Sequence, residues 1–399
     1  MILKNKRRAP ITILTLYGPI TYSRTILVGA DEESCKVLAQ MGKTRVCPLD
    51  EILGIDRFPF KMTYNAIGAT ARECCSSRSY KDAGRQIGEK YHFQISETEA
   101  KNVAEFVGTL MFDQLTLAAE AESKIRFDNR RRRRQEDDLA YLMADGAMIH
   151  LRDKNANPTK GDPGEYGWAE SKHAIFFAAS DVKELGVDKD GKPRRQILKK
   201  DAIGFIGPAS EFKKYLILLA RRTGFERYSK QVIVVDGCIW LRDMMVELFP
   251  HAQIILDKYH AKENAGEFAK FAKPDAESRK EFADILCDMI DAGDVDGLLN
   301  ILEPYKNVKT PDGVVNMYTY VDNHKNNMNY PKYESKGYYV GSGPMESGNK
   351  SLMQSRLKLI GMIWNHLRAQ HLLTLKIYYE CDQWDKVLAT LRDYANYVI

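Results

Sequence analysis

The chain has 399 residues, of which 44% are hydrophobic and 28% are charged, and its formal net charge is +5. This length allows two or three domains with a sizeable core, and the composition is that of a globular protein. We expect no membrane association, because no apolar stretch approaches the ~20 residues that a bilayer requires. The seven cysteines form no CxxC pair. We therefore expect a protein of the reducing cytoplasm, without a signal peptide.

The N-terminal region, 1–67, is predicted to be β-rich, because "ITILTLYGPITYSRTILVG" is typical of a hairpin that turns at its "GP" dipeptide. The next region, 68–134, is predicted to be helical. Its helices are expected over these ranges: 69–77, 80–91 and 97–118. Ser79 in "SYKD" and Ser96 in "SETE" each match the start of a capping box. Three short helices at this spacing are typical of a helix-turn-helix DNA reader and equally of a small helical bundle.

A basic run closes this helical region. It contains five consecutive arginines, which are Arg130, Arg131, Arg132, Arg133 and Arg134. A charge run is usually a solvated linker, but clustered cations also bind the phosphates of nucleic acids. We predict an Arg-rich linker that contacts DNA, and the solvated linker stays open as the alternative.

Residues 135–260 have the pattern of an α/β domain. Strands are predicted at "LAYLMADGAMIHL", "WAESKHAIFFAAS" and "IGFIG", with the polar stretch "DVKELGVDKDGKPRR" predicted as turns. Then come the helix "ASEFKKYLILLARRTGF", the strand "QVIVVD", the helix "CIWLRDMMVELF" and the strand "AQIILD". A meander followed by alternating helices and strands is the order of a ribonuclease-H-like sheet. The fold class predicted here is therefore α/β.

Two further regions follow this domain. Residues 261–335 are predicted to be a helical insertion, charged and helical at first and loop-like from about 306. Residues 336–399, which include "GSGPMESGNKSLMQSRLKLIGMIW", are predicted to be the C-terminal helical part of the core.

Three carboxylates fall at positions suited to a metal site. Asp145 lies within a predicted apolar strand, Asp236 ends another, and Glu346 lies near the start of a helix. A buried carboxylate must be hydrogen-bonded, neutralised or bound to a cation. If the two strands are neighbours, the three acids make a hard oxygen site for Mg²⁺ or Mn²⁺. Two such ions would activate a water or a 3′-hydroxyl and stabilise the leaving oxygen of a phosphodiester.

Each acid also has a structural interpretation. Asp145 and the following glycine are compatible with a hairpin turn, and Asp236 with an ordinary helix N-cap. In "GSGPMES" the glycine before the proline would be the helix cap, and Glu346 is then the acid of a first helical turn. Asp257, in "ILDKYH", is expected to cap the helix that begins at Lys258. The spacing alone does not choose between these interpretations.

Two long segments resemble a known family. "VVDGCIWLRDMMVELFPHAQIILDKYHAKENAGEFA" and "GYYVGSGPMESGNKSLMQSRLKLIGMIW" resemble the transposases of the ISKra group of bacterial insertion sequences, which are similar to the broader Mutator-like DDE transposases. The resemblance is most specific between residues 232 and 260 and between 338 and 364. It implies a ribonuclease-H-like catalytic core interrupted by an all-helical insertion, with Asp145, Asp236 and Glu346 as catalytic and metal-binding acids. Asp257 and His260 match a supporting motif of the wider group.

The resemblance implies a function as well. The protein would be a DNA transposase that uses two Mg²⁺ or Mn²⁺ ions to cleave strands at the ends of its element and join them to target DNA. Its partners would be terminal repeats, target DNA and at least one further copy of the chain, in the prokaryotic cytoplasm at the nucleoid. Three cations near Glu346 are predicted to contact phosphate, and these are Lys350, Arg356 and Lys358. A helix pair between Glu346 and Lys350 is the alternative for the first of them.

The chain also departs from the family pattern. Only Cys35 and Cys47 lie where family members often carry paired cysteines, so no four-ligand zinc site is expected. Asn349 stands where a cysteine is common. Two other functions stay open: a catalytically inactive, transposase-derived DNA-binding protein, and a metal-dependent nuclease without strand transfer.

Overall fold

The computed structural model describes residues 1–125, 138–152, 167–187 and 193–396. The five arginines at 130–134 lie outside the described residues, so their predicted contact with DNA stays a prediction. The chain forms two compact units. The first contains Met1–Leu115, His150–Gly167 and Gln354–Ile399, and the second contains Thr116–Ile149 and Trp168–Met353. The predicted C-terminal segment is therefore divided between the two units at Gln354.

The elements of the described ranges are mixed α/β. The strands are β1 Leu3–Thr15, β2 Gly18–Gly29, β3 Leu139–Leu151, β4 Gly167–Ala178, β5 Val182–Val187, β6 Pro193–Ile197, β7 Asp201–Ile206, β8 Lys230–Val235 and β9 Gln253–Leu256. The helices are α1 Glu32–Gln40, α2 Pro48–Ile52, α3 Tyr64–Ser76, α4 Tyr80–Tyr91, α5 Glu97–Ser123, α6 Ala209–Thr223, α7 Ile239–Leu248, α8 Lys258–Ala272, α9 Ala276–Ala292, α10 Val295–Leu302, α11 Met317–His324, α12 Tyr330–Ser335, α13 Gly343–Asn349, α14 His366–Glu380 and α15 Trp384–Asn396. None of these helices has both the length and the apolar character needed to cross a membrane.

The first unit contains the predicted hairpin and the predicted helices. Strands β1 and β2 pair antiparallel, and the chain turns just before Gly18, whose φ of +105° favours glycine. Ser79 and Ser96 accept hydrogen bonds from the backbone N–H groups of Asp82 and Glu99, which confirms both predicted N-caps. Helix α3 is buried along most of its length and packs against α4, α14 and α15. These helices therefore form a small bundle.

The second unit contains a five-stranded sheet in the order β7-β4-β3-β8-β9. Strands β3, β8 and β9 are parallel, and β4 pairs antiparallel with β7. The valine- and isoleucine-rich β8 is buried from Gln231 onward, as is typical of a central parallel strand covered on both faces. The predicted succession of elements, a meander and then alternating helices and strands, is the order observed.

Two stretches differ from the prediction. The stretch "DVKELGVDKDGKPRR" was predicted as turns, but β5 and β6 form an antiparallel hairpin there. Its side chains are mostly exposed, so there was no apolar alternation to reveal the strands. The second stretch, predicted as loop, contains α11 and α12. Asn316 and Asn329 cap these helices by accepting hydrogen bonds from backbone N–H groups.

Candidate active site

Asp145 and Asp236 lie side by side in the sheet of the second unit. Strands β3 and β8 run parallel, and the last pair in their register is Ala144 with Val235. The two aspartates come next along the chain after this pair, and the charge of Asp236 acts on Asp145. Strand β3 continues beyond Asp145 to Leu151. The alternative interpretation of Asp145 as part of a hairpin turn is therefore wrong.

The Asp145 carboxylate accepts two short hydrogen bonds. Asn349 Nδ2 donates to Oδ2 at 2.7 Å, and the Gly146 backbone N–H donates to Oδ1 at 2.6 Å. Burial and the nearby negative charge of Asp236 raise the pKa of Asp145 to about 6, against the lowering effect of these hydrogen bonds and of His260. The two carboxylates thus repel each other across neighbouring strands.

Asp236 ends its strand without capping the next helix. Its Oδ1 accepts a hydrogen bond of 2.9 Å from the backbone N–H of Cys238, which is itself the N-cap residue of α7. The N-cap interpretation of Asp236 is therefore wrong. Gly237 follows with a φ of +96°, and a Cβ atom there would lie 2.6 Å from the Tyr320 ring. The chain thus leaves the strand by a turn that requires glycine.

Asp257, at the end of β9, is fully buried and fully hydrogen-bonded. Its Oδ1 accepts from the backbone N–H groups of Tyr259 at 2.8 Å and His260 at 3.3 Å, which confirms the predicted cap of α8. Its Oδ2 accepts from His260 Nδ1 at 2.9 Å and from the backbone N–H of Ser342 at 3.0 Å. Burial acts to raise the pKa of Asp257, but the hydrogen bonds from His260 and Ser342 outweigh it and the pKa is lowered.

His260 is a cation close to the aspartate pair. Its hydrogen bond to Asp257 raises its pKa to about 9 against the opposing effect of burial. The imidazole is therefore protonated at neutral pH. Its charge lowers the pKa of Asp145, and the charge of Asp236 helps to raise that of His260. Asp257 thus holds a positive charge within electrostatic reach of both carboxylates.

Glu346 is exposed in the first turn of α13. The N-cap of this helix is Ser342, so the expected glycine cap is wrong. No described residue forms a hydrogen bond or ion pair with the Glu346 carboxylate. Within the described ranges, no group of three or more His, Cys, Asp or Glu side chains is arranged to hold a metal ion. The structure therefore brings two of the three predicted acids together, and among the described residues it shows no contact of the third with them.

Asn349, at the end of α13, is the site residue that the sequence did not single out as functional. It is 7% exposed, and its Nδ2 bonds to Asp145 as described above. Its Oδ1 is buried and accepts no hydrogen bond in the described part of the chain. A neutral amide leaves no charge pattern in a sequence. The one available signal was its position three residues after Glu346, about one helical turn away.

The three cations predicted near Glu346 have different environments. Lys350 and Lys358 are exposed, and no ion pair joins Lys350 to Glu346 among the described residues. Arg356 is 1% exposed, and its Nε donates to the Cys74 carbonyl at 3.2 Å. Its guanidinium lies 4.7 Å from the ring centre of Tyr80 and 5.2 Å from that of Trp364. The predicted phosphate contact of Arg356 is therefore wrong, because the side chain is buried inside the first unit.

The oxygen atoms at the sheet edge suit a hard divalent cation. Two carboxylates lie together at the cost of mutual repulsion, and a cation would relieve that repulsion. Carboxylate oxygens are the ligands that Mg²⁺ and Mn²⁺ prefer. Among the described residues, Asp145 and Asp236 are thus the ones that would hold such an ion.

The comparisons with known proteins include a distant structural match. No family model and no curated protein matches the chain. Among solved structures, the Drosophila P element transposase strand transfer complex matches with a TM-score of 0.37 and 10% sequence identity, over 80% of this chain and 93% of that chain. A likeness at this level assigns neither a family nor an activity.

Proposed function

We propose that this protein is a DDE-type DNA transposase, which cleaves DNA strands at the ends of its element and joins them to target DNA. The observation that carries the proposal is the pair Asp145 and Asp236, which directly follow the registered residues Ala144 and Val235 of neighbouring parallel strands. A sheet that begins as a meander and adds two parallel strands beside its first strand supports a ribonuclease-H-like core. The resemblance of residues 232–260 and 338–364 to the ISKra-group transposases points to the same class.

Asp145 and Asp236 would hold Mg²⁺ or Mn²⁺, together with Glu346 once its side chain reaches the pair. When bound, two such ions activate the attacking oxygen and stabilise the leaving oxygen of a phosphodiester. Asn349 and Gly146 orient the Asp145 carboxylate through their hydrogen bonds. The ions would supply the chemistry of the reaction. The protein would bind the DNA strand and hold the carboxylates in place.

The protonated His260 is suited to bind a phosphate oxygen beside the carboxylates. Its hydrogen bond to Asp257 orients the ring and keeps the imidazole protonated. The exposed Lys350 and Lys358 are available for further phosphate contacts. The arginines at 130–134 are proposed to contact the same DNA. Because a transposase acts on two element ends, we also propose that at least two copies of the chain assemble on DNA.

The test is a cleavage and joining assay with Mg²⁺ on DNA that carries the flanking sequences of the gene. Wild type is compared with Asp236→Asn, Glu346→Gln and the control Asp275→Asn, which changes an exposed helix cap. Both active-site variants should lose more activity than the roughly 10–100-fold that loss of an outer-shell residue costs, while DNA binding persists. The control should keep its activity.

Other outcomes separate the alternatives. Metal-dependent nicking without joined products would identify a nuclease. DNA binding without cleavage, unchanged by either substitution, would identify an inactive DNA-binding protein. Loss of activity in Asp236→Asn alone would remove Glu346 from the site.

A further inference from the structure

The end of α13 is held close to the sheet by a glycine. Gly348 packs directly against Ile175 of β4, and a Cβ atom at residue 348 would overlap the Ile175 side chain. Both Gly348 and the following Asn349 are buried. Helix α13 therefore presents the Asn349 amide to the sheet from a fixed distance, on a packed element of the second unit.

The orientation of the Asn349 amide is determined by Asp145. Nδ2 donates to Asp145 Oδ2 at 2.7 Å, and the reversed amide would place its oxygen against a carboxylate oxygen. The Asn349 Oδ1 atom is consequently not engaged by this hydrogen bond. It is buried and has no hydrogen-bond donor in the described ranges.

A buried acceptor without a donor is rare in folded proteins, because nearly all such groups are paired with protein or water. Amide oxygens are also among the ligands of hard divalent cations. A cation lies at ~2.0–2.1 Å from its oxygen ligand, closer than the ~2.7–2.8 Å of a hydroxyl hydrogen bond. Solvent does not reach Oδ1. The short approach of a bound cation therefore fits this atom better than a hydrogen bond from water.

The local charge supports the same conclusion. Asp145, Asp236 and Asp257 together carry up to three negative charges, and the protonated His260 offsets one of them. A divalent cation would balance the remainder. An oxygen that is neutral adds a ligand without adding to the repulsion between the carboxylates.

We propose that Asn349 supplies, through Oδ1, a neutral oxygen ligand to the divalent cation bound by Asp145 and Asp236. This inference rests on the proposed function for the presence of the ion. It adds a fourth protein ligand from α13, one helical turn beyond Glu346.

The test is calorimetric titration of Mn²⁺ into the full chain without DNA, so that no catalytic activity enters the measurement. Asn349→Ala removes both amide groups, whereas Asn349→Asp removes the N–H donor and keeps an oxygen. We expect Asn349→Ala to raise the dissociation constant by about tenfold or more, and Asn349→Asp to stay near wild type. The matched control is Asn327→Ala, which removes an amide that donates to the Ile254 carbonyl at 3.0 Å in the same unit.

The outcomes distinguish this inference from the proposed function. Wild-type affinity in Asn349→Ala would overturn the inference and leave the proposed function standing. An equal loss in both Asn349 variants, with unchanged thermal unfolding in EDTA, would also overturn it and make Asn349 only a hydrogen-bond donor to Asp145. If wild type binds no Mn²⁺, or Asp145→Asn and Asp236→Asn bind it as wild type does, the proposed metal site itself fails.

Discussion

Asp257 and Asp145 lie in the same sheet region, yet they have opposite electrostatic environments. Asp257 is the more deeply buried, but it accepts four hydrogen bonds and its pKa is lowered. Asp145 accepts two and faces a like charge, and its pKa is raised to about 6. The number of donors and the sign of the neighbouring charge, and not the depth of burial, therefore separate the structural carboxylate from the one suited to bind a cation.

The largest expected effect on the free energy of unfolding comes from removing the structural carboxylate, Asp257. Asp257→Ala should lower the free energy of unfolding by about 3–5 kcal/mol, because it leaves the Ser342 N–H and the charged His260 without their acceptor. Urea denaturation at pH 7 measures this change. Asp275→Ala, which removes the exposed cap of α9, is the control and should cost clearly less. Equal losses of stability in the two variants would show that Asp257 stabilises the fold no more than an exposed helix cap does.

Removing the charge of Asp145 should stabilise the protein, in contrast to the loss of Asp257. With EDTA present at pH 7.5, Asp145→Asn should raise the free energy of unfolding by about 1–2 kcal/mol, since it ends the repulsion with Asp236. The folded pKa is above the unfolded value of 3.8, so ionised Asp145 costs stability above about pH 6. The gain should therefore shrink as the pH falls from 6 towards 4. A loss of stability at pH 7.5 would contradict the prediction.

The smallest effect is expected at His260. Its folded pKa of about 9 exceeds the ordinary 6.5, so its contribution to stability is complete below pH 6.5 and is lost as the pH rises through 9. The side chain is 35% exposed, and solvent screening reduces the contribution to about 1 kcal/mol. His260→Gln should flatten this part of the stability profile, as measured by urea denaturation from pH 6 to 9.5. A profile that keeps the wild-type slope would place the titration elsewhere.

The sequence predicted those elements whose period and caps are strong. The limits of β3 and α4 agree with the prediction because an apolar run and a serine cap mark them. The β5–β6 hairpin was missed because its side chains are mostly exposed and show no regular apolar alternation. Helices α11 and α12 were missed because their asparagine caps, Asn316 and Asn329, stand in a stretch whose composition favours loops.

The candidate site was predictable only in part. The sequence indicated that Asp145 and Asp236 would meet if their strands were neighbours, and the register fulfils that condition. The contact of Asn349 with Asp145 was missed because it joins residues 204 positions apart. Arg356 was misinterpreted because a sequence pattern does not tell an exposed cation from one enclosed by aromatic rings.

The division of the first unit has a consequence for synthesis on the ribosome. Helix α3 packs against α14 and α15, which are made only after roughly 290–320 further residues. At about 5–20 residues per second, the apolar face of α3 stays without these partners for roughly 15–60 s. Throughout that interval the nascent chain exposes apolar surface on which chaperones act. A message cut short before codon 366 would yield a chain that lacks α14 and α15, so this face of α3 would stay exposed.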